Sequence, residues 1–163
     1  MESNLIFNEV KKYEPGTIFR LLSECHAEIL DKQLSDRLRQ FDCEVYENPN
    51  TIGNCTFVTT LGTDIVGMAS YDPRQAPKLG KIGYNCILPG HQKKGYGKWQ
   101  ILEILRRLRE FEVRRVAVST SEHPFFEPAR KMYLSCGFSE LDRQRKEPKD
   151  IYKIINYEME LKP

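Results

Sequence analysis

The sequence predicts a mixed α/β domain, and three observations carry that expectation. Short runs rich in Val, Ile and Thr alternate with longer stretches whose apolar residues recur every three to four positions. Leu61-Gly62-Thr63-Asp64 joins two of the short runs at hairpin length. No repeat, linker or low-complexity tract interrupts the 163 residues, a length that suits one domain.

Residues 4–10 read as the first strand. Glu14-Pro15-Gly16-Thr17 opens a helix with Ile18, Leu21, Leu22, Cys25 and Ile29 on one face. Ser35 is placed to cap a second helix bearing Leu38, Phe41 and Val45, which Asn48-Pro49-Asn50 ends. Residues 55–60 and 65–71 form the hairpin, and a loop from Asp72-Pro73 to Gly80 leads into a strand over 81–88. A long helix follows, with Trp99, Leu102, Leu105 and Leu108 on one face, joined by Ile101 and Ile104. Residues 115–119 are a fifth strand. A helix from about Pro128 carries Ala129, Met132, Tyr133 and Cys136, with Gly137 suited to the position after its end. Residues from Phe138 onward and 151–161 give two last strands around the charged loop 142–150. The order is β-α-α-β-β-β-α-β-α-β-β.

Composition excludes several classes. Hydrophobic residues at 40% and charged residues at 29% are those of a soluble globular chain. Five scattered cysteines (Cys25, Cys43, Cys55, Cys86, Cys136) show no C-x-x-C pair and no ligand spacing to His. They predict reduced, mostly buried thiols, with neither a disulfide framework nor a metal. Met1-Glu2-Ser3-Asn4 lacks the basic start of a leader, and no apolar run is long enough to span a bilayer, so a cytoplasmic protein is expected. The net charge of +2 is unevenly spread: residues 91–115 carry +5 and residues 24–47 carry −4. Such segments suit an anion and a cation respectively. Nucleic acid is set aside on two grounds. Acidic residues interleave Arg106, Arg107, Arg109, Arg114 and Arg115, and Trp99 falls on the stripe expected to be buried.

The most informative junction is Gln92-Lys93-Lys94-Gly95-Tyr96-Gly97-Lys98, between the strand ending Ile87-Leu88-Pro89 and the long helix. At a helix start several N–H groups have no intrahelical partner, and the helix dipole adds partial positive charge. Glycines let the main chain approach a ligand, and the lysines add full charges. Together these describe a cradle for a phosphate or pyrophosphate. A Walker A loop is excluded because Trp99 follows Gly97-Lys98, and a dinucleotide fingerprint because Gln100 stands where its third glycine belongs.

Gln92-x-x-Gly95-x-Gly97 resembles the acetyl-CoA loop of the GNAT superfamily of N-acetyltransferases. Ala129-Arg-Lys-Met-Tyr133-Leu-Ser-Cys-Gly137-Phe138 resembles that family's second signature, Ala-x-x-x-Tyr-x-x-x-Gly-Phe. The two motif blocks span residues 81–138, and the element order matches along almost the whole chain. The resemblance implies one acetyltransferase domain over residues 1–163, with a mostly antiparallel sheet flanked by helices. It implies acetyl-CoA as acyl donor, its pyrophosphate on Gln92, Lys93, Lys94, Gly95, Tyr96, Gly97 and Lys98. The pantetheine arm is then expected on backbone near Ile87 and Leu88, where the family's strand carries a bulge, and Ala129 is expected to border the cofactor.

The implied reaction is acetyl transfer to a primary amine of a small molecule or peptide. An alkyl amine with a pKa near 10.4 is neutral in only about one molecule in 2,500 at pH 7, a deficit of roughly 4.6 kcal/mol. By the resemblance Tyr133 faces the CoA sulfur and acts as general acid. Some members place a glutamate at the start of the strand before the loop, but here Lys81 stands there and no carboxylate follows as far as Leu88. Glu122 or His123 is the alternative base. Phe126 replaces an Asn that many relatives use toward CoA. The acidic residues Glu24, Glu28, Asp31 and Asp36 would favour a cationic acceptor, whereas Arg143 and Arg145 would favour an acidic one. The other reading is a CoA-binding sensor or partner module that keeps the fold without turnover. No nucleic acid or membrane partner is expected, and the chain is expected to be a monomer or homodimer.

Overall fold

The computed structural model describes residues 4–163; Met1, Glu2 and Ser3, the start of the segment read above as no leader, lie outside the described residues. The main elements are β1 (Leu5–Glu9), α1 (Thr17–Cys25), α2 (Lys32–Glu47), β2 (Thr56–Leu61), β3 (Asp64–Asp72), β4 (Gly80–Ile87), α3 (Tyr96–Glu110), β5 (Arg115–Ser121), α4 (Glu127–Ser135), β6 (Ser139–Gln144) and β7 (Ile154–Glu160). This is the order the sequence predicts. The hydrogen-bonded strand order is β1-β2-β3-β4-β5-β7-β6. The pairs β1–β2, β2–β3, β5–β7 and β6–β7 are antiparallel, and β4–β5 is parallel.

The chain divides into two compact units: the residues up to Tyr71 with Tyr84–Gln100, and Asp72–Gly83 with Ile101–Pro163. In the first unit, Ile18, Leu21 and Leu22 of α1 share one core with Leu38 and Val45 of α2 and Met68 of β3. The start of α1 is held from α2. Gly16 takes a φ of 97°, and the carboxylate of Asp42, only 6% exposed, accepts the Gly16 N–H at 3.0 and 3.1 Å and the Phe19 N–H at 2.8 Å. A buried anion is thereby satisfied by helix-start donors.

In the second unit, β5 pairs with β7 from Arg115↔Glu160 to Ser121↔Ile154, and the start of β4 runs beside β5 at Gly80↔Val116 and Lys81↔Ala117. Ile101, Ile104, Leu105 and Leu108 of α3 are buried. A Cβ on Gly80 would lie 2.9 Å from Leu108 Cδ2, so this close approach of helix and strand requires glycine.

Three expectations are corrected. The second helix is capped not by Ser35 but by Asp31, whose side chain accepts the Leu34 N–H at 2.7 Å. Leu34 lies one turn before Leu38 and is packed against the core, so the helix must begin early enough to include it. Ile29 is not on α1, which ends at Cys25; it belongs to a separate 3-10 turn, Ala27–Ile29. Finally, Trp99 and Leu102 are 38% and 40% exposed rather than buried. Six apolar residues within ten positions cover a wider arc than the packed face of α3, and the aliphatic set from Ile101 to Leu108 occupies its centre.

Candidate active site

The donor loop belongs wholly to the first unit. β4 ends at Ile87, and the Leu88 N–H bonds the Val66 carbonyl at 2.8 Å. A 3-10 turn, Pro89–His91, follows, and the Gln92 side chain reaches back to donate to the Ile87 carbonyl at 3.0 Å. This closes the loop on its own strand. Positive φ falls on Lys93 (64°) and Gly95 (84°), and nothing lies within 4 Å of where a Gly95 Cβ would stand. Gly97 is already helical, because α3 begins at Tyr96. The Trp99 N–H bonds the Gly95 carbonyl at 3.3 Å, so the amides of Tyr96, Gly97 and Lys98 are the helix-start donors without an intrahelical acceptor. Lys93, Lys94 and Lys98 are exposed around them. Among the described residues His91 Nδ1 is buried without a partner. An open-faced turn of donors ringed by lysines fits a pyrophosphate.

Behind this loop lies a polar residue that sequence reasoning passed over. Gln100 is completely buried. Its Oε1 accepts from Thr59 Oγ1 at 2.6 Å, and its Nε2 faces the Asn85 Oδ1 at 2.6 Å and the carbonyls of Met68 at 3.0 Å and Cys86 at 3.4 Å. Asn85 Nδ2 donates in turn to the Gly97 carbonyl at 3.4 Å. Nearby, the Tyr84 N–H donates to Ser70 Oγ at 2.9 Å. Side chains thus bond backbone groups of β3 and β4 just before the donor loop. The sequence signal was there: Gln100, Ile104 and Leu108 share one buried helix face, and a polar residue on such a face needs partners.

The second unit carries the remaining expected residues. Tyr133, on α4, is 5% exposed, with ring centres 5.9 Å from Phe138 and 6.0 Å from Tyr157. Burial raises its phenol well above the ordinary tyrosine range, with smaller contributions from Cys136 and Tyr157. It therefore keeps its proton at any physiological pH. Ala129 is half-buried one turn earlier on α4. The loop from β5 into α4 is held by Arg130, whose guanidinium donates to the carbonyls of Ser121 at 2.6 Å and His123 at 3.0 Å. His123 Nδ1 accepts the Phe125 N–H at 3.0 Å, and its ring lies 4.8 Å from that of Tyr152. Glu122 Oε1 stands 3.6 Å from Arg143, which also binds Glu140. Arg130 was not anticipated, and Phe126, in the place of the family's Asn, packs edge-on against Phe125 at 4.9 Å.

Of the acidic residues expected at the acceptor, Glu24 pairs with Arg20 at 3.4 Å and Asp31 caps α2, while Glu28 and Asp36 are exposed. Of the grounds against nucleic acid, the burial of Trp99 does not hold. The interleaving does: Arg106 pairs with Glu103 at 2.7 Å and Glu110 at 2.9 Å; Arg115 also pairs, with Glu158 of β7. Among the described residues no helix is long and apolar enough to cross a membrane.

Residues 17–138 match the sequence profile of the Acetyltransferase (GNAT) family, and the chain belongs to that family. Solved structures agree in fold. A GNAT-family protein of Desulfovibrio desulfuricans superposes with a TM-score of 0.79 at 18% identity, covering 97% of this chain and 98% of its own. The ribosomal-protein-S18-alanine N-acetyltransferase of Escherichia coli gives 0.73 at 12% identity, with 98% and 95% covered. A Bacillus subtilis acetyltransferase in complex with CoA gives 0.69 at 14% identity, with 99% and 100% covered. No curated protein matches the sequence at a significant level. The donor of the family is acetyl-CoA.

Proposed function

We propose that the whole chain works as one N-acetyltransferase domain that moves the acetyl group of acetyl-CoA to a primary amine of a small molecule or peptide. The carrying observation is the start of α3, where three helix-start amides follow a left-handed Gly95 with open space at its Cβ position and three exposed lysines within six residues. Acetyl-CoA brings the activated acetyl group. The backbone of Tyr96, Gly97 and Lys98 would hold its pyrophosphate, Lys93, Lys94 and Lys98 would neutralise it, and Gln92 would keep the loop closed on Ile87. Leu88 completes the donor side in this reading.

Tyr133 serves as the proton donor toward the departing sulfur. Its raised pKa keeps the phenolic proton in place, so its part is a hydrogen bond to the developing thiolate, since full transfer from such a phenol to a thiolate of pKa near 8.5 is uphill. For the base, Glu122 is the better supported of the two candidates. Its carboxylate keeps lone pairs beyond the contact with Arg143, whereas the one lone pair of neutral His123 already accepts the Phe125 N–H. A peptide amine is a reasonable acceptor class, because one structural relative acts on the alanine of a ribosomal protein.

The test is direct. CoA at 100 times its dissociation constant should stabilise the fold by about 2.7 kcal/mol, several degrees of melting temperature at this size. Gly95→Asp and Gly97→Asp should abolish that shift by facing the pyrophosphate with a carboxylate. Thiol release from acetyl-CoA across a panel of amines and peptides then separates an enzyme from a sensor. A melting curve indifferent to millimolar CoA would refute the donor site.

A further inference from the structure

We infer that Gln100, acting through Asn85, is the positioning residue that sets the pyrophosphate-binding turn of α3 against the β4 segment that takes the pantetheine arm. The inference rests on the donor-loop reading above and adds the element that aligns its two halves.

Gln100 ties α3 to three strands at once: β2 through Thr59, β3 through the Met68 carbonyl and β4 through Asn85 and the Cys86 carbonyl. Two carbonyls can only accept, so the amide nitrogen must face them and the orientation of the side chain is fixed. Asn85 is the hinge pin. One end of its amide accepts from Gln100, and the other donates to the Gly97 carbonyl, one turn earlier on the same helix. A single strand residue is therefore stapled to the helix at two levels, one in the turn whose amides face the ligand and one in the turn after it.

The slot for this side chain is built. Gly67 of β3 leaves it open, because a Cβ there would lie 2.3 Å from the Cys86 carbonyl oxygen and 3.1 Å from Gln100 Oε1. The Met68 and Cys86 carbonyls of two strands both receive the amide of one helix side chain. The chemistry of the network concerns alignment only. Gln100 is fully buried and touches no solvent, so it cannot contact ligand itself.

CoA spans both halves of the site, whereas ADP occupies only the pyrophosphate half and pantetheine only the strand half. Alignment between the halves matters to the spanning ligand alone. The experiment measures dissociation constants by calorimetry for CoA, ADP and pantetheine in the wild type, Asn85→Ala and Gln100→Leu. In Asn85→Ala the CoA constant should rise by about tenfold while each fragment changes by less than about twofold. Gln100→Leu should show the same split or a larger one. Equal losses for CoA and ADP, an unchanged CoA constant, or failure of both variants to fold would overturn the inference and leave Gln100 a packing residue. Wild-type protein that binds no CoA would instead bring down the donor-loop reading beneath it.

Discussion

Asp42 lies in the middle of the acidic segment, yet its charge is turned inward onto the start of α1. Asp42→Ala should cost about 1–3 kcal/mol in urea denaturation, because it removes the buried acceptor of two part-buried helix-start amides, while Glu28→Ala should stay within about 0.5 kcal/mol. The sequence did contain the distinction. Asp42 stands at i+4 from Leu38 and three before Val45, on the apolar stripe, whereas Asp36 does not. What it could not contain was the partner, Gly16, 26 residues away. His26 makes a second prediction at this scale. Burial lowers its pKa, outweighing the opposing bond from Nδ1–H to the Leu22 carbonyl at 2.7 Å. The folded state therefore resists the proton that the unfolded chain accepts near pH 6.5, so stability is intact above that pH and falls as the pH drops below it. His26→Gln should flatten the melting temperature between pH 7 and pH 5. Tyr133 has the opposite sign: the unfolded phenol ionises near pH 10 while the folded one holds its proton, so its share of stability is lost above pH 10. Tyr133→Phe should soften that alkaline loss and lower turnover by tens- to hundreds-fold with little change in acetyl-CoA affinity. Unaltered turnover would make Tyr133 a core aromatic and nothing more.

Elements were legible where one signal dominated and misread where two competed. The hairpin, both motif-bearing helices and the closing strands follow from periodicity and turn residues, and they stand within a few residues of expectation. In α3, however, Trp99, Leu102, Leu105 and Leu108 match the helical period as well as Ile101, Ile104, Leu105 and Leu108 do. Only packing separates the two sets. Leu102→Ala should therefore cost less than about 1 kcal/mol, and Ile104→Ala about 2–5 kcal/mol, in equilibrium unfolding. Reversed costs would restore the sequence reading of that helix. The cap of α2 was misplaced for a similar reason, since Asp31 and Ser35 are both good caps one turn apart and Leu34 decides between them.

At the scale of the whole molecule, the family was legible because its two motifs bind a donor that all members share, and the physics of binding a pyrophosphate leaves glycines at fixed spacing. The acceptor leaves no such mark, since recognition of an amine needs only a few charges on surfaces free to vary. The −4 carried by residues 24–47 is the one global cue, and the structure narrows it. Asp42 is buried, and of the four acidic residues expected at the acceptor Glu24 is paired and Asp31 is a cap, which leaves the exposed Glu28 and Asp36. An amine arrives as a cation, so these two carboxylates would raise its local concentration but would also oppose its deprotonation. Their effect should fall on KM and spare kcat. Each exposed charge contributes well under about 1 kcal/mol and acts across solvent screened over roughly 8 Å at physiological salt. A basic peptide amine is accordingly expected to show a KM only a few-fold below that of a matched acidic peptide at low ionic strength, with the difference vanishing near 1 M salt. Glu28→Gln with Asp36→Asn should erase the preference without moving kcat. A preference for the acidic peptide at low salt would reverse the assignment and direct attention to Arg145 beside Asp150, and to Arg143 between Glu122 and Glu140, in the second unit.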